Sequence, residues 1–243
     1  MNKSFLSWSS GKDASYALLK LYAQGKKPQL LVTNINENKN RVSMHGVRKE
    51  LLEQQAQRLN IPLHIIPLDE NINMKDYVEI TNKHYKNLAQ QAYKTGYFGD
   101  IFLEDLKEFR KVEMEKAQIK AAFPIWGENT KELALQIIDS GIKAIITAVS
   151  SQKLSEDFVG VNFDWNFLNN LPEGVDWCGE NGEFHTFVYD HPMFSSPIPI
   201  KKGEKIFKSF KPCTNKDKEY LNTKTPKNKE WDTGFWYIDI LVK

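Results

Sequence analysis

Ser9-Ser10-Gly11-Lys12-Asp13-Ala14-Ser15 follows a short apolar run, Phe5-Leu6-Ser7-Trp8, and opens an amphipathic one, Tyr16 to Gln24. The order predicts a strand, a turn of small residues and a helix start. Such a junction leaves backbone N–H groups pointing at one spot, and the helix dipole adds partial positive charge there, so an anion binds readily. Lys12 supplies a full charge and the serine hydroxyls further donors. A Walker A loop is excluded: it needs glycine five positions before the Gly-Lys pair and Ser or Thr after it, where this chain has Leu6 and Asp13. An aspartate inside a phosphate cradle repels phosphate unless Mg²⁺ lies between them, so Asp13 points to a nucleotide–metal complex. The plainer alternative is a capped helix start, with Ser10 or Asp13 serving the backbone.

Outward from this loop, the first half of the chain alternates strand-like and helix-like segments. Apolar runs at Phe5–Trp8, Leu30–Ile35, Leu63–Leu68 and Phe123–Trp126, with a later one at Ala144–Val149, read as strands. Helices are predicted over Lys75–Tyr93, Leu103–Ala121 and Asn129–Ser140, and on the faces Ala17-Leu18-Leu21-Tyr22 and Val47-Leu51-Ala56-Leu59. This alternation predicts an α/β fold, a doubly wound parallel sheet with helices on both faces. Ligands then bind at the carboxyl ends of strands, near a switch in strand order. The Ser9 loop, Asn34, the Gly99-Asp100 turn and Gly127-Glu128 are such ends. Beyond about residue 150 the alternation fades and a smaller α+β part follows, ending in the strand-like run Gly234–Lys243. The expected division is 1–128 for the nucleotide domain and 129–243 for a C-terminal α+β domain.

Bulk properties narrow the classes. The chain has 243 residues and a net charge of +2, so the total gives no strong nucleic-acid signal. No apolar run approaches the roughly 20 residues of a membrane-spanning helix, and no signal peptide is recognised at the N-terminus. Cys178 and Cys213 form no disulfide framework. A cytoplasmic setting is expected, with no membrane partner. The stretch 201–230, with ten lysines, reads as a solvated surface or, though without regular aromatic interleaving, a contact for an acidic or nucleic-acid partner. The five histidines show no metal-ligand spacing.

The loop resembles the pyrophosphate loop of the ATP pyrophosphatases, Ser-Gly-Gly-Lys-Asp-Ser. Ser9, Gly11, Lys12 and Asp13 match; Ser10 replaces a glycine and Ala14 the closing serine, with Ser15 one place on. The change at position 10 predicts an unstrained backbone there. Three further segments follow in order: Arg41-Val42-Ser43-Met44-His45-Gly46-Val47-Arg48 with Gln55-Ala56 after it; Tyr97-Phe98-Gly99-Asp100-Ile101; and Trp177-Cys178-Gly179-Glu180-Asn181-Gly182-Glu183-Phe184 with Thr186. Together, over residues 4–194, they resemble the diphthine–ammonia ligase family of ATP pyrophosphatases, whose fold is Rossmann-like and of the pyrophosphate-loop type. Members adenylate the carboxylate of diphthine on a translation elongation factor and let ammonia displace AMP. The Met-His-Gly-Val-Arg form is similar to the bacterial branch, where that target is missing, so the acceptor is a protein side chain or a small-molecule carboxylate.

The resemblance implies ATP and Mg²⁺ as cofactors, ammonia as amine donor, and catalytic roles for Lys12, Asp100, Glu180 and Glu183. Nucleotide contacts fall to Ser9, Ser10, Gly11, Lys12, Asp13, Ser15, Asn34, Met44, His45, Gly46, Arg48 and Gly99, with Asp13 reaching the metal. Each has a plainer alternative: Asp100 as a helix cap, His45 and Arg48 facing solvent, Glu180 and Glu183 as solvated acids of a tight turn. Lone cysteines and the missing room for a glutaminase unit leave free ammonia as the simplest donor. A homodimer is an open expectation. So is a non-catalytic nucleotide sensor, suggested by Ser10 and Ala14.

Overall fold

The computed structural model describes residues 2–42, 45–70, 72–209 and 234–243. Strand β1 (Lys3–Ser7) places Phe5 and Leu6 on opposite faces, and both are fully buried, as a central strand covered on both sides requires. Parallel neighbours β2 (Leu30–Asn36) and β5 (Tyr93–Tyr97) flank it. β4 (Leu63–Leu68) pairs with β2 and β6 (Lys120–Ala122) with β5, both parallel. β3 (Arg41–Val42) runs antiparallel to the end of β2, beyond the last residue of β1. The chain therefore builds β1, β2 and β4 in one direction, then crosses back to lay β5 and β6 on the other side of β1. That reversal puts the switch point between β1 and β5, where such sheets hold their ligands.

Helix α1 (Lys12–Ala23) buries Ala14, Ala17, Leu18 and Leu21, a single face at helical spacing. α2 (Lys49–Leu59) buries Leu51, Leu52, Gln55, Ala56 and Leu59 and stops at Asn60, which takes the left-handed conformation (φ 52°). α3 (Met74–Gln90) starts at Asn73, whose side chain accepts the Asp76 N–H at 2.9 Å. α4 (Glu104–Lys116) joins β5 to β6. α5 (Thr130–Asp139) is capped by Asn129, which accepts from Lys131 and Glu132. The parallel sheet between these helices bears out the α/β, doubly wound expectation. Among the described residues no helix is long and apolar enough to cross a membrane.

A second, antiparallel sheet holds β7 (Lys143–Ser150), β8 (Phe184–Asp190), β9 (Ile200–Ser209) and β10 (Gly234–Val242) in the order β8-β7-β10-β9. The short α6 (Trp165–Asn169) lies between β7 and β8. Four expectations need correction. The helix expected over Leu103–Ala121 ends at Lys116, and the last residues of that span lie in strand β6. Phe123–Trp126 is a turn containing Pro124, and the strand there is Lys120–Ala122. The helix expected to reach Tyr93 ends at Gln90, and Tyr93–Tyr97 is a central strand whose Gly96 makes room for Phe5; a Cβ there would sit 2.6 Å from the ring. The run Ala144–Val149 joins the antiparallel sheet rather than the parallel one. Most of the lysine-rich stretch, with Cys213, lies outside the described residues.

Asp239 on β10 ties the two sheets together. Its carboxylate accepts from Arg41 (2.9 Å) and from the fork of Arg48 (2.6 and 3.0 Å). Partial burial would raise its pKa, but the two guanidinium groups outweigh that and hold it at about 2. A depressed carboxylate stabilises the fold above its unfolded pKa and loses that contribution as pH falls through the folded value. Asp239→Asn is expected to destabilise the protein above pH 4 and to remove this share of the stability loss between about pH 4 and 2. Chemical unfolding across that range checks it; parallel curves for the two proteins would contradict it.

Candidate active site

At the switch point lies a cavity of about 390 Å³, walled by the Ser9–Ala14 loop, the ends of β2 and β5, α4 and the turn before β8. The loop is held from several sides. Ser10 is fully buried with φ 71°, contrary to the unstrained backbone expected of it. The left-handed region costs an L-residue about 1–2 kcal/mol, which the surroundings must offset. They do so at its carbonyl, which accepts from Val188 N–H at 3.0 Å and from Gln55 Nε2 at 3.1 Å. Gly11 precedes α1 against His45 and Thr186, each about 3.2–3.3 Å from where a Cβ would stand. The N–H of Gly11 goes to Ser9 Oγ (3.4 Å) and that of Lys12 to Thr186 Oγ1 (3.0 Å). Two donors expected to be free are therefore engaged, one by the second sheet.

Lys12 is the electrostatic centre. Its side chain is 2 % exposed, and Nζ donates to both oxygens of Asp13 (2.8 and 2.9 Å) and to the Cys178 carbonyl (2.5 Å). The rings of Phe163 and Phe184 face the ammonium at 5.4 and 5.3 Å. Burial works to lower its pKa, but Asp13, Cys178 and Glu180 outweigh it, so the charge is held firmly. Glu180, in the glycine-bounded turn, accepts the N–H groups of Ile101 (2.7 Å) and Phe102 (3.4 Å). Burial, reinforced by Asp13 and Asp100, lifts its carboxyl to about 7 against the pull of Ile101 and Lys12. A carboxyl at that value exchanges a proton at neutral pH.

Asp100 caps nothing, because Glu180 serves the N–H groups that follow it. It pairs instead with Arg110 of α4, whose Nε meets Oδ2 at 2.7 Å. Arg110 also lies over Phe98, 4.8 Å from the ring centroid. Gly99 is pressed on the first turn of α1: a Cβ would stand 3.1 Å from Ala14 N and 3.2 Å from the Asp13 carbonyl carbon, both backbone atoms. Gly99→Val is expected to cost about 1–3 kcal/mol by overpacking. At ~2–4 °C per kcal/mol the melting temperature falls by several degrees; an unchanged melt would contradict the contact.

The cleft brings together Ser9, Lys12, Asp13, Asn34, His45, Gly99, Asp100 and Glu180. Asn34 donates to the Tyr77 hydroxyl at 3.1 Å. His45 packs on His185 with centroids 4.5 Å apart; burial holds His45 down at about 4 and His185 well below its ordinary value, so both are neutral at pH 7. Other expected residues lie elsewhere. Arg48 is on Asp239, Gly46 sits against Tyr237, and the buried Ser15 hydroxyl is inside α1. Glu183 does not line the cleft: Oε1 accepts from Asp176 N–H (3.2 Å) and Asn181 (3.1 Å), bracing the turn. Met44 lies outside the described residues. Arg110, Tyr77 and His185 went unread in the sequence, since no local motif marks them. Among the described residues no three His, Cys, Asp or Glu side chains cluster as a metal site.

The site thus sets the Ser9–Asp13 loop, with its buried Lys12, at the switch point of a doubly wound parallel sheet. Two family profiles match the chain, the diphthamide synthase N-terminal domain over residues 2–118 and the diphthamide synthase C-terminal domain over residues 129–221. The chain belongs to the diphthamide synthase family. Curated relatives include the diphthine–ammonia ligase of Homo sapiens, 24% identical over 224 residues, covering 83% of this chain and 84% of that protein. That of Danio rerio is 22% identical over 222 residues, covering 83% and 87%. A solved structure titled as a predicted subunit of tRNA methyltransferase from Methanocaldococcus jannaschii covers 82% of this chain and 100% of its own, at 18% identity and a TM-score of 0.42.

Proposed function

We propose that the chain is an ATP-dependent ligase that adenylates a carboxylate, releasing pyrophosphate, and aminates the acyl adenylate with ammonia, releasing AMP. The observation that carries this reading is the convergence of a buried, charged Lys12 and a near-neutral Glu180 on one cleft at the switch point. In the first step a carboxylate oxygen attacks the α-phosphorus and the bond to the bridging oxygen of the β-phosphate breaks. Lys12 Nζ and the Ser9 hydroxyl, both at the cleft, receive the charge of the departing pyrophosphate. In the second, ammonia attacks the acyl carbon, the bond to AMP breaks, and Glu180 takes the proton the nitrogen loses.

A magnesium ion fits this donor set. Asp13 faces the cleft with its side chain 27% exposed, and Mg²⁺ is commonly held by one or two carboxylates with phosphates and water. Bound there, it would neutralise phosphate charge. Asp100, held by Arg110, fits a place beside the amine. Asn34, His45 and Gly99 fit the nucleotide; Ser15, Gly46, Arg48 and Glu183 support the loop and turn rather than touch the ligand. We assign the nucleotide to residues 1–128 and the acceptor and amine side to 129–243, with Glu180 reaching across.

Incubating the protein with ATP, Mg²⁺ and ammonium, with either a diphthine-bearing elongation factor or a panel of small carboxylates, tests the reading and separates the two acceptors. AMP and pyrophosphate should form in step with an amide. ADP with phosphate, or AMP without any amide, would overturn it.

A further inference from the structure

Gln55 is fully buried on α2, and the chemistry of the site so far leaves it unused. Its amide oxygen accepts the indole N–H of Trp8 at 2.8 Å. Its amide nitrogen donates to the Ser10 carbonyl at 3.1 Å and to the Val188 carbonyl at 2.6 Å. The orientation is forced: an indole nitrogen can only donate and a carbonyl can only accept, so the side chain cannot turn over. One rigid amide thus joins the end of β1, the loop and strand β8 of the second sheet. Val188 N–H reaches the same Ser10 carbonyl at 3.0 Å. Two donors on that oxygen fix the peptide between Ser10 and Gly11, and through it the start of α1, from which Lys12 and Asp13 reach the cleft. They do so at the one loop residue forced into the left-handed region without being glycine, φ 71° at Ser10. A strained conformation of this kind persists only where its neighbours over-determine it.

We propose that Gln55 is a positioning residue that holds Ser10 in its left-handed conformation and so sets the loop's grip on the triphosphate of ATP. The inference rests on the reading of this loop as the nucleotide site. It predicts coupling between the two positions, because glycine adopts φ 71° without strain and needs no clamp. Gln55→Leu keeps the volume and removes all three hydrogen bonds.

Calorimetric titration with Mg·ATP, run beside thermal melting on folded material, tests the coupling. Gln55→Leu should weaken binding by about tenfold, the size expected when one strained backbone setting is released. In the Ser10→Gly background the same substitution should weaken binding by only about threefold or less. A merely structural role would lower the melting temperature equally in both backgrounds and leave the affinity loss undiminished, which overturns the proposal. Affinity unchanged in Gln55→Leu also overturns it while leaving the nucleotide reading intact; wild-type protein that takes up no ATP sinks both. Should Gln55→Leu fail to fold, Gln55→Met, whose unbranched side chain follows the path of glutamine without its N–H donors, should weaken binding about tenfold in the Ser10 protein and about threefold or less in the Ser10→Gly background. Equal loss in both refutes the clamp.

Discussion

Lys12→Ala is expected to lower the rate of AMP and pyrophosphate formation by one to two decades. Nζ is buried, charged and free of bulk water, so its contact with a departing diphosphate is charge-assisted and contributes about 1.5–3 kcal/mol. At ~1.4 kcal/mol for each factor of ten, that range gives the expected loss. The substitution also strips the Cys178 carbonyl and the Asp13 carboxylate of their donor, so melting should be compared in parallel. Folded Lys12→Ala protein with wild-type turnover would remove the lysine from the mechanism.

Glu180→Gln should produce a loss of comparable or larger size, about two decades, the lower end of what a positioned general base supplies. The glutamine oxygen can still accept the Ile101 N–H, so the turn is retained while the proton acceptor is lost. With the carboxyl at about 7, wild-type amidation should rise with pH and level off above neutrality, and the variant should lack that inflection. Stability moves the other way. A carboxyl whose folded pKa exceeds its unfolded value of 4.5 loses stability for the fold as pH rises from 4.5 through 7. Glu180→Gln should therefore melt higher than wild type at pH 8 and show little gain at pH 4. Equal pH–rate profiles for the two proteins would remove Glu180 as the base.

The loop, its helix and the strands β2 and β4 were legible because each carries a local signal: small residues at a junction, or a mostly apolar run. β5 was not, since Tyr93-Lys94-Thr95-Gly96-Tyr97 lacks apolar periodicity and owes its central place to the fit of Gly96 against Phe5. Site residues divide in the same way. Lys12, Asp13 and Gly99 follow from motif and position, whereas the partners of Lys12 and Asp100 come from remote segments, Cys178, Thr186 and Arg110. Glu180 and Glu183 looked equivalent, three places apart in one turn. Left-handed Gly179 and Gly182 aim the first at the cleft and leave the second bracing Asp176, a distinction set by backbone dihedrals that residue types alone do not encode.

The grip of the first loop on a triphosphate is tested most directly by a crystal structure with Mg²⁺ and a non-hydrolysable ATP analogue. The β- and γ-phosphates should lie within hydrogen-bond distance of Lys12 Nζ and the Ser9 hydroxyl, with the α-phosphate turned toward Glu180. A nucleotide seated outside the β1–β5 switch point, or none at saturating analogue, would contradict the account.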